Sequence, residues 1–356
     1  MTEKWKFYGA PMSYFSAKLR PLLRYKRVPF EEIPPTAAVY REVIKPATGL
    51  AFIPVVITDG GEVLQDTPRM IERIEELCPQ PAVLPADGAL RMVAELIQDF
   101  ADEAMILPAM YFRWRFDEQR DWIIKDWSDL MGDAALEFAE RMSGSLPVLG
   151  VTDATGPAIE LWFERLLAIL GEHLDDHRFL LGEALSLADL AMVGPMYAHL
   201  GRDPVPARRL RERAPRVMAW IHEVNDAAPP SPWTGAFELA DSLRPLLAEI
   251  GRVFVPFQLV ASSFADQAAR SLGAGEELPR VLGFTEQPIL GKREQRYVNA
   301  YAVWRHARTA RRYRELGDAD RRRFDSLVGG SGVLPYLNEA PSAPFVMKDF
   351  KLYMDG

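Results

Sequence analysis

Four residues between positions 53 and 67 have the types and the spacing to bind a small peptide-like ligand. Ile53 and Pro54 stand at the start of a predicted strand, where a cis peptide turns the backbone so that Ile53 offers its N–H and C=O groups. A ligand with a peptide backbone pairs with such an edge as an added strand. Asp66 and Thr67 open a predicted helix, whose N–H groups favour a carboxylate while Asp66 offsets an ammonium. The alternative is that Asp66 or Thr67 only caps this helix.

Other chemically suggestive patterns favour structural roles. His173 and His177 have the i, i+4 spacing of a metal-binding pair, but no third ligand accompanies them, so we expect a solvated helix face and no metal. The arginines between positions 305 and 323 alternate with acidic residues, which favours a salt-bridged or subunit-packing helix over a nucleic-acid surface. Cys78 is the only cysteine, so the chain forms no internal disulfide, and we expect no dithiol or mixed-disulfide catalysis.

Composition indicates a folded, soluble protein. Of 356 residues, 48% are hydrophobic and 26% are charged, which excludes disorder for the bulk of the chain. The net charge of −8 argues against nucleic acid or an anionic membrane as the main partner. We find no apolar segment near the roughly 20 residues of a membrane span and no secretory leader at the start. Together with the lone cysteine, this predicts a cytoplasmic protein.

The first 84 residues alternate predicted strands and helices in the order β-α-β-α-β-β-α, which predicts a mixed sheet with helices on its faces. The helix over 16–27 has apolar Leu19, Leu22 and Leu23 on one side. The two strands of the hairpin over 53–64 are joined by the turn residues Asp59, Gly60 and Gly61. The other predicted elements are strands over 6–8 and 30–33 and helices over 37–44 and 68–77.

The rest of the chain is predicted to be helical, in two parts. Helices are expected over 90–110, 118–142, 157–174, 187–199 and 205–225. A proline-rich stretch at 227–232 marks a boundary, and helices are expected beyond it over 235–250, 257–272, 292–316 and 319–328, with a weakly structured tail from 340. We therefore predict three units: 1–84, an all-α domain over 85–230, and a helical extension over 231–356. The apolar stripe from Phe237 to Ile250 predicts that the extension packs on the α domain.

Three patches of the sequence resemble the glutathione transferase family. Residues 7–20 are similar to its first strand, active-site turn and first helix, with Ser13 at the place of the thiol-activating serine and Arg20 at that of the helix arginine. Residues 52–56 and 64–68 resemble the Val-Pro and Glu-Ser motifs. Residues 179–190 resemble the signature of the helical domain, and Ser186 to Asp189 form a capping box to which we assign no chemistry. The resemblance implies a thioredoxin-like N-terminal domain followed by an all-α domain, over about the first 225 residues.

The resemblance implies an enzyme that uses glutathione as co-substrate and activates its thiol for attack on a small hydrophobic electrophile. Ile53, Pro54, Asp66 and Thr67 would bind glutathione. A thiol with a pKa of about 8.5 is activated by a hydroxyl donor at a helix N-terminus. Ser13 is the first candidate for this donor, and it competes with Tyr14, Ser16 and Tyr8. Ser13 could instead act only as a helix cap.

The resemblance also implies a pocket for the electrophile, a basic residue for glutathione binding and an assembly state. Tyr111 and Trp114, in an aromatic stretch at the end of a long helix, would wall the electrophile pocket or else belong to the core. Phe52 stands where the family often has a basic residue, so Lys45 or another residue has to supply that charge. We expect a homodimer. The alternative function is a non-catalytic binding or assembly protein with the same fold.

Overall fold

The computed structural model describes residues 4–227, 236–341 and 345–355. Apart from Ala227, the proline-rich boundary predicted at 227–232 lies outside these residues, and so does the predicted start of the extension at 231.

The N-terminal region forms a four-stranded mixed sheet flanked by helices. The strands lie in the order β2-β1-β3-β4, with β1 parallel to β2 and antiparallel to β3. This arrangement confirms the predicted thioredoxin-like topology. The elements are β1 (Trp5–Tyr8), α1 (Tyr14–Tyr25), β2 (Phe30–Ile33), α2 (Ala37–Val39), a π-helical turn (Tyr40–Ile44), α3 (Lys45–Thr48), β3 (Val55–Ile57), β4 (Val63–Leu64) and α4 (Thr67–Leu77).

Helices α1 and α4 pack on the sheet through the apolar side that the sequence predicts. Leu19, Leu22 and Leu23 of α1 are fully buried and belong to the same core cluster as Ile71 and Ile74 of α4. Since α1 follows β1 and α4 follows β4, which runs in the same direction as β1, the N-terminal ends of both helices lie at the same end of the sheet. This end of the sheet is where the sequence places its candidate ligand-binding residues.

The second region is helical, as predicted. Its elements are α5 (Gly88–Glu103), α6 (Ile106–Trp114), α7 (Asp117–Met131), α8 (Ala134–Gly144), a 3-10 turn (Pro147–Leu149), α9 (Gly156–Asp176), α10 (Leu187–Pro195), a π-helical turn (Met196–Gly201), α11 (Pro204–Arg213) and α12 (Pro215–Asp226). The helix predicted over 118–142 is divided into α7 and α8 at Gly132, whose φ of 60° ends α7.

The capping box at the start of α10 is present and its role is structural. The Asp189 carboxylate accepts hydrogen bonds from the Ser186 backbone at 3.0 Å and the Ser186 hydroxyl at 2.6 Å. It also accepts from the Leu180 backbone at 2.8 Å and the Trp220 indole at 3.1 Å. All of these groups are buried, so the box ties the loop before α10 to helix α12 in the core.

The C-terminal region contains two hairpins in addition to the predicted helices. Its elements are a 3-10 turn (Asp241–Leu243), α13 (Arg244–Glu249), a π-helical turn (Ile250–Phe254), α14 (Val255–Ser271), β5 (Val281–Ile289), β6 (Lys292–Asn299), α15 (Ala300–Glu315), α16 (Asp318–Leu327), α17 (Leu334–Asn338), β7 (Phe345–Lys348) and β8 (Lys351–Met354).

The two hairpins correct the sequence-based prediction of an all-helical extension with a weakly structured tail. The predicted helix over 292–316 begins only at Ala300, because Lys292–Asn299 pairs with β5 as an antiparallel strand. The turn that joins these strands is formed by Leu290 and Gly291, with φ of 44° and 82°. Leucine is rare in this left-handed conformation, so the turn has no characteristic sequence.

The extension packs against both preceding regions. Leu243, Leu246, Leu247 and Ile250 are fully buried in the cluster that also contains the core of the helical region. The run from Asp241 to Ser271 is long and apolar enough to cross a membrane by composition, but 56% of its apolar window is buried inside the protein. Core helices pass the same test, so this run is weak evidence for a membrane span.

Helix α15 is ion-paired to α4 and α5. Arg312 binds Glu72 of α4 at 2.7 Å and Glu95 of α5 at 2.8 Å, and Arg308 binds the same Glu72. Arg305 is buried and pairs with Asp99 and Asp102 of α5. Arg305, Arg308 and Arg312 are therefore salt-bridged, as predicted, but their partners lie on α4 and α5 rather than within the cluster. These ion pairs bring the start of α15 over the N-terminal end of α4.

Candidate functional site

The cis peptide predicted at the start of β3 is present between Ile53 and Pro54. Pro54 is buried and Ile53 is half-buried, directly before the strand that pairs with β1 and β4. The side-chain amide of Gln65 donates to the Phe52 carbonyl at 2.9 Å, which joins the loop before the cis peptide to the loop before α4. The backbone of Ile53 thus lies at an edge fixed next to the start of α4.

Asp66 and Thr67 lie at the start of the 11-residue helix α4. Asp66 has a φ of 74°, a conformation unusual for a residue with a side chain, and its carboxylate makes no capping hydrogen bond to the helix. Thr67 is buried at the first helical position. Since Asp66 does not cap the helix, the first N–H groups of α4 are not satisfied by its side chain.

The Asp66 carboxylate is only partly satisfied by the protein. Its Oδ1 accepts a hydrogen bond from the Tyr301 hydroxyl of α15. Its Oδ2 is shielded from solvent and accepts none from the described residues, although the residue as a whole is half-buried. The Oε1 atom of the buried Gln65 is likewise without a donor among the described residues. Burial raises the pKa of Asp66, against the opposing effect of Tyr301, Arg305, Arg308 and Lys18.

These features define a site that suits a ligand carrying both an ammonium and a carboxylate. Two acceptor oxygens without donors, on Asp66 and Gln65, call for a cationic donor such as an ammonium. The N–H groups at the start of α4 favour a carboxylate. The residues present therefore fit the γ-glutamyl end of glutathione, in which one carbon carries both groups.

Of the four candidate hydroxyls, Ser13 is the one that is half-buried rather than buried. Ser13 is the N-cap of the 12-residue helix α1, and its oxygen accepts from the Ser16 backbone at 3.4 Å. The Ser16 hydroxyl is fully buried and accepts from the Ala10 backbone at 3.3 Å. Since Ser13 only accepts in this contact, its proton stays available for donation to a ligand.

The two tyrosines are buried. The Tyr14 hydroxyl donates to the Ala101 carbonyl of α5, and burial raises the pKa of Tyr14 well above its usual value. Tyr8 lies in a small apolar cluster with Ile44 and Val55, and burial raises its pKa as well. Tyr14, whose hydroxyl already has a protein acceptor, is therefore less suited to serve a bound thiolate.

The predicted pocket residues lie in aromatic packing at the end of α6. The Tyr111 hydroxyl donates to Glu160 of α9, and its ring makes edge contacts with Phe112 and Phe116. Trp114 is half-buried against the same core. No contact within the described parts of the chain joins either residue to Ser13 or Ile53, so their role in a pocket stays a prediction.

Two cavities lie on faces of the extension. One, of about 200 Å³, is lined by α5 and α15 near Arg91 and Arg312. The other, of about 400 Å³, lies between α13 and the loop after α16. Neither is lined by Ser13, Tyr111 or Trp114.

Two residues of the extension reach the site and were not identified from the sequence. Tyr301 binds Asp66, and the Arg280 guanidinium lies over the Phe52 ring, 4.8 Å from its centre. Lys45, the sequence-based candidate for a basic residue near Phe52, is exposed on α3. Tyr301 and Arg280 lie more than 200 residues from their partners, and no local pattern marks either of them.

The histidine pair and the cysteine show no sign of a further centre. His173 is fully buried, which corrects the predicted solvated face. Its ring bonds the Ser242 hydroxyl at 2.9 Å and the Phe179 carbonyl at 3.1 Å, and it stacks on His177. In the part of the chain that the structure describes, no group of three or more His, Cys, Asp or Glu side chains could hold a metal ion. Cys78 is half-buried at the C-terminal end of α4.

Comparison with known proteins matches the two regions to one family. Residues 7–82 match the model of the glutathione S-transferase N-terminal domain. Residues 163–223 match that of the glutathione S-transferase C-terminal domain. These two regions carry the N- and C-terminal domains of the glutathione S-transferase superfamily. Neither match includes the extension, and no curated protein matches the chain.

Several solved glutathione S-transferases and related structures are similar to this chain. A glutathione S-transferase from Rhodospirillum rubrum F11 is 18% identical, with 68% of this chain and 91% of that chain covered and a TM-score of 0.43. The beta-etherase LigF from Sphingobium sp. strain SYK-6 is 20% identical, with coverage of 64% and 97% and a TM-score of 0.45. FzlA from C. crescentus is 18% identical, with coverage of 67% and 98% and a TM-score of 0.43.

Proposed function

We propose that the protein binds glutathione along the edge formed by Ile53, Pro54, Asp66 and Thr67 and uses it as the co-substrate of a transferase. The observation that carries this proposal is the pair of shielded, unpaired oxygens Asp66 Oδ2 and Gln65 Oε1 beside the start of α4. The γ-glutamyl ammonium supplies the donors that these oxygens lack. Its carboxylate is favoured by the N–H groups at the start of the helix.

Arg280 supports binding of the opposite end of glutathione. The family often has a basic residue at the place of Phe52, and the guanidinium of the exposed Arg280 lies over the Phe52 ring. A cation at this end of the Ile53 edge attracts the glycine carboxylate of a ligand that pairs with that edge. The extension then supplies the charge that the sequence lacks at position 52.

Ser13 is the proposed activator of the glutathione thiol. Its hydroxyl donates a hydrogen bond to the sulfur, and the N-terminus of α1 adds a favourable potential, so the thiolate is stabilised below the usual thiol pKa of about 8.5. The thiol proton leaves to solvent. The thiolate forms a carbon–sulfur bond with the electrophile, and the leaving group departs with the bonding electron pair.

The second substrate is proposed to be a small hydrophobic electrophile. Aromatic side chains near the end of α6, among them Tyr111 and Trp114, are the proposed source of its pocket. The unit boundaries at 84 and 230 belong to the same proposal, with ligand binding in the first unit and the electrophile held by the second.

Binding and turnover test the proposal together. Titration of the full-length protein with glutathione in a calorimeter should show binding, and a generic aromatic halide should be consumed only when glutathione is present. Asp66→Asn should weaken binding, and Ser13→Ala should slow turnover with binding kept. Absence of both binding and turnover in the wild type would refute the proposal.

A second candidate is a non-catalytic binding or assembly protein. The observation that favours it is the Tyr301 hydroxyl on Asp66, because a side chain of the extension already occupies one oxygen of the carboxylate that glutathione would use. Under this alternative the wild-type protein neither binds glutathione nor consumes the halide, and Tyr301→Phe restores neither.

The protein is proposed to be a cytoplasmic homodimer that binds neither nucleic acid nor membrane. A two-fold dimer is the usual assembly of this superfamily, and an acidic chain with a lone cysteine suits a reducing compartment. Light scattering at micromolar concentration should give twice the mass of the 356-residue chain. A monomer under these conditions would contradict the assembly.

A further inference from the structure

The turn before α1 is anchored by an arginine from the helical region. Residues 10–13 form a turn that is closed by a hydrogen bond from the Ser13 backbone to the Ala10 carbonyl at 3.1 Å. Arg113, near the end of α6, donates through Nη1 to the Met12 carbonyl at 3.1 Å. The contact lies one residue before Ser13, so any movement of the Met12 carbonyl moves Ser13 with it.

Arg113 is itself held from two sides. Its Nε and Nη2 atoms bind both carboxylate oxygens of Asp203, at 2.8 and 2.9 Å. Nη2 also donates to the Ala198 carbonyl at 2.6 Å. A guanidinium in such a forked pair has one orientation, so its Nη1 group points in a fixed direction. One of the two N–H bonds of Nη1 binds Met12.

The backbone of Arg113 is fixed as well. The buried Gln119 side chain donates to the Arg113 carbonyl at 3.2 Å and accepts from the Val205 backbone at 2.9 Å. This bond joins the end of α6 to the start of α11, close to Asp203. The guanidinium therefore extends from a rigid element, which is the requirement for a residue that positions another group.

The Arg113–Asp203 ion pair is buried, and the cost of desolvating both charges limits how much it stabilises the fold. The side chains of Arg113 and Asp203 are only 3% and 1% exposed. Buried ion pairs are often no more stabilising than apolar side chains of similar volume. The other hydrogen bonds that hold side chains to this turn are long, at 3.3 Å from Ala10 and 3.4 Å to Ser13. What the ion pair adds is a charge-assisted link to the turn.

We propose that Arg113, oriented by Asp203, is a positioning residue that fixes the turn carrying Ser13. The inference rests on the proposed function, since it assigns the thiol contact to Ser13. A displacement of about 1 Å at a reacting group can lower the rate by about 100-fold. Loss of Arg113 should therefore affect thiol activation more than glutathione binding, whose residues lie just before β3 and at the start of α4.

The test compares Arg113→Met with Lys26→Met. The side chain of Lys26 is fully buried and pairs with Glu75, which is 12% exposed, but Lys26 lies at the C-terminal end of α1, at the opposite end of the helix from the turn. Both variants should lower the melting temperature. Only Arg113→Met should speed amide hydrogen exchange in residues 9–13, raise the pKa of the bound thiol and lower turnover about tenfold, with glutathione affinity within about twofold.

Arg113→Lys keeps the charge next to Asp203 but lacks the planar fork. Its melting temperature should be close to that of the wild type, while the pKa of the bound thiol should stay raised. Arg113→Lys is the test variant if Arg113→Met does not fold. Wild-type exchange and thiol pKa in Arg113→Lys, or equal changes in Lys26→Met, would overturn the inference. If the wild type does not bind glutathione, the proposed function fails, while the exchange comparison still tests whether Arg113 fixes the turn.

Discussion

Replacement of Asp66 by Asn tests the ligand site most directly, because it removes one charge and little else. The amide has the shape of the carboxylate, and its oxygen can still accept from Tyr301, so the contact with α15 is kept. The variant loses the negative charge that would face the γ-glutamyl ammonium. A buried charge without a full set of partners is also removed, so the melting temperature at neutral pH should not fall.

The expected loss of affinity follows from the charge on the acceptor. Hydrogen bonds to charged groups contribute about 1.5–3 kcal/mol. Since about 1.4 kcal/mol corresponds to a tenfold change, the dissociation constant for glutathione should rise about 10- to 100-fold. Wild-type affinity should also weaken as the pH falls through the pKa of Asp66, which burial raises above the usual carboxyl value. Asp66→Asn should not show this dependence.

The assay is calorimetric titration with two ligands. One is glutathione, and the other is glutaryl-cysteinylglycine, which lacks only the ammonium. The wild type should prefer glutathione, and Asp66→Asn should bind the two ligands with similar affinity. Glu76→Gln makes the same change of net charge on the exposed side of α4 and should keep the wild-type preference. An Asp66→Asn protein that still prefers glutathione as strongly as the wild type would refute the assignment.

Three further predictions concern the thiol, the extension and the pH dependence of stability. Ser13→Ala should lower turnover about 100-fold with glutathione binding kept, and a larger loss in Tyr14→Phe measured by the same halide assay would move the role to that tyrosine. Arg280→Ala should weaken glutathione binding about two- to fivefold in a calorimeter, and the difference should shrink at high salt. Burial raises the pKa of Glu103 from 4.5 to about 7, so the folded state binds more protons than the unfolded state between these values and stability falls as the pH rises. Glu103→Gln should lack this fall and be more stable than the wild type at pH 8 by up to about 3 kcal/mol in denaturant titrations; equal slopes would contradict the shift.

The parts of the fold and site that follow from the sequence are those encoded over a few neighbouring residues. The cis bond before Pro54 and the helix start at Asp66 and Thr67 are local features, and the structure has both. The capping box of Ser186 and Asp189 is likewise contained in four residues. Short-range patterns of this kind are visible because their chemistry is complete within one turn of the chain.

The parts that the sequence did not show depend on partners far apart in the chain. Tyr301 reaches Asp66 across 235 positions, and Arg113 reaches Met12 across 101. Tyrosine and arginine are common residues with many uses, so neither has a local pattern that indicates its partner. The hairpin β5–β6 was missed for a different reason. Its turn has Leu290 in a left-handed conformation, where a hairpin of this type usually has Asn or Asp before the glycine. The sequence therefore lacks the Asn-Gly or Asp-Gly pattern that predicts such a turn.

The hydrogen-bond partners of Asp66 indicate whether the extension blocks the glutathione site or forms part of it. A contact that served only to pack α15 on α4 would be expected to satisfy the whole carboxylate, because a shielded oxygen without a donor costs about 1–3 kcal/mol. Tyr301 satisfies Oδ1 and leaves Oδ2 without a donor, while Arg305 and Arg308 are paired with Asp99 and Glu72 instead. Departures from complete polar pairing are expected where a protein keeps groups for a ligand. The arrangement therefore favours an extension that shares Asp66 with a ligand over one that replaces the ligand.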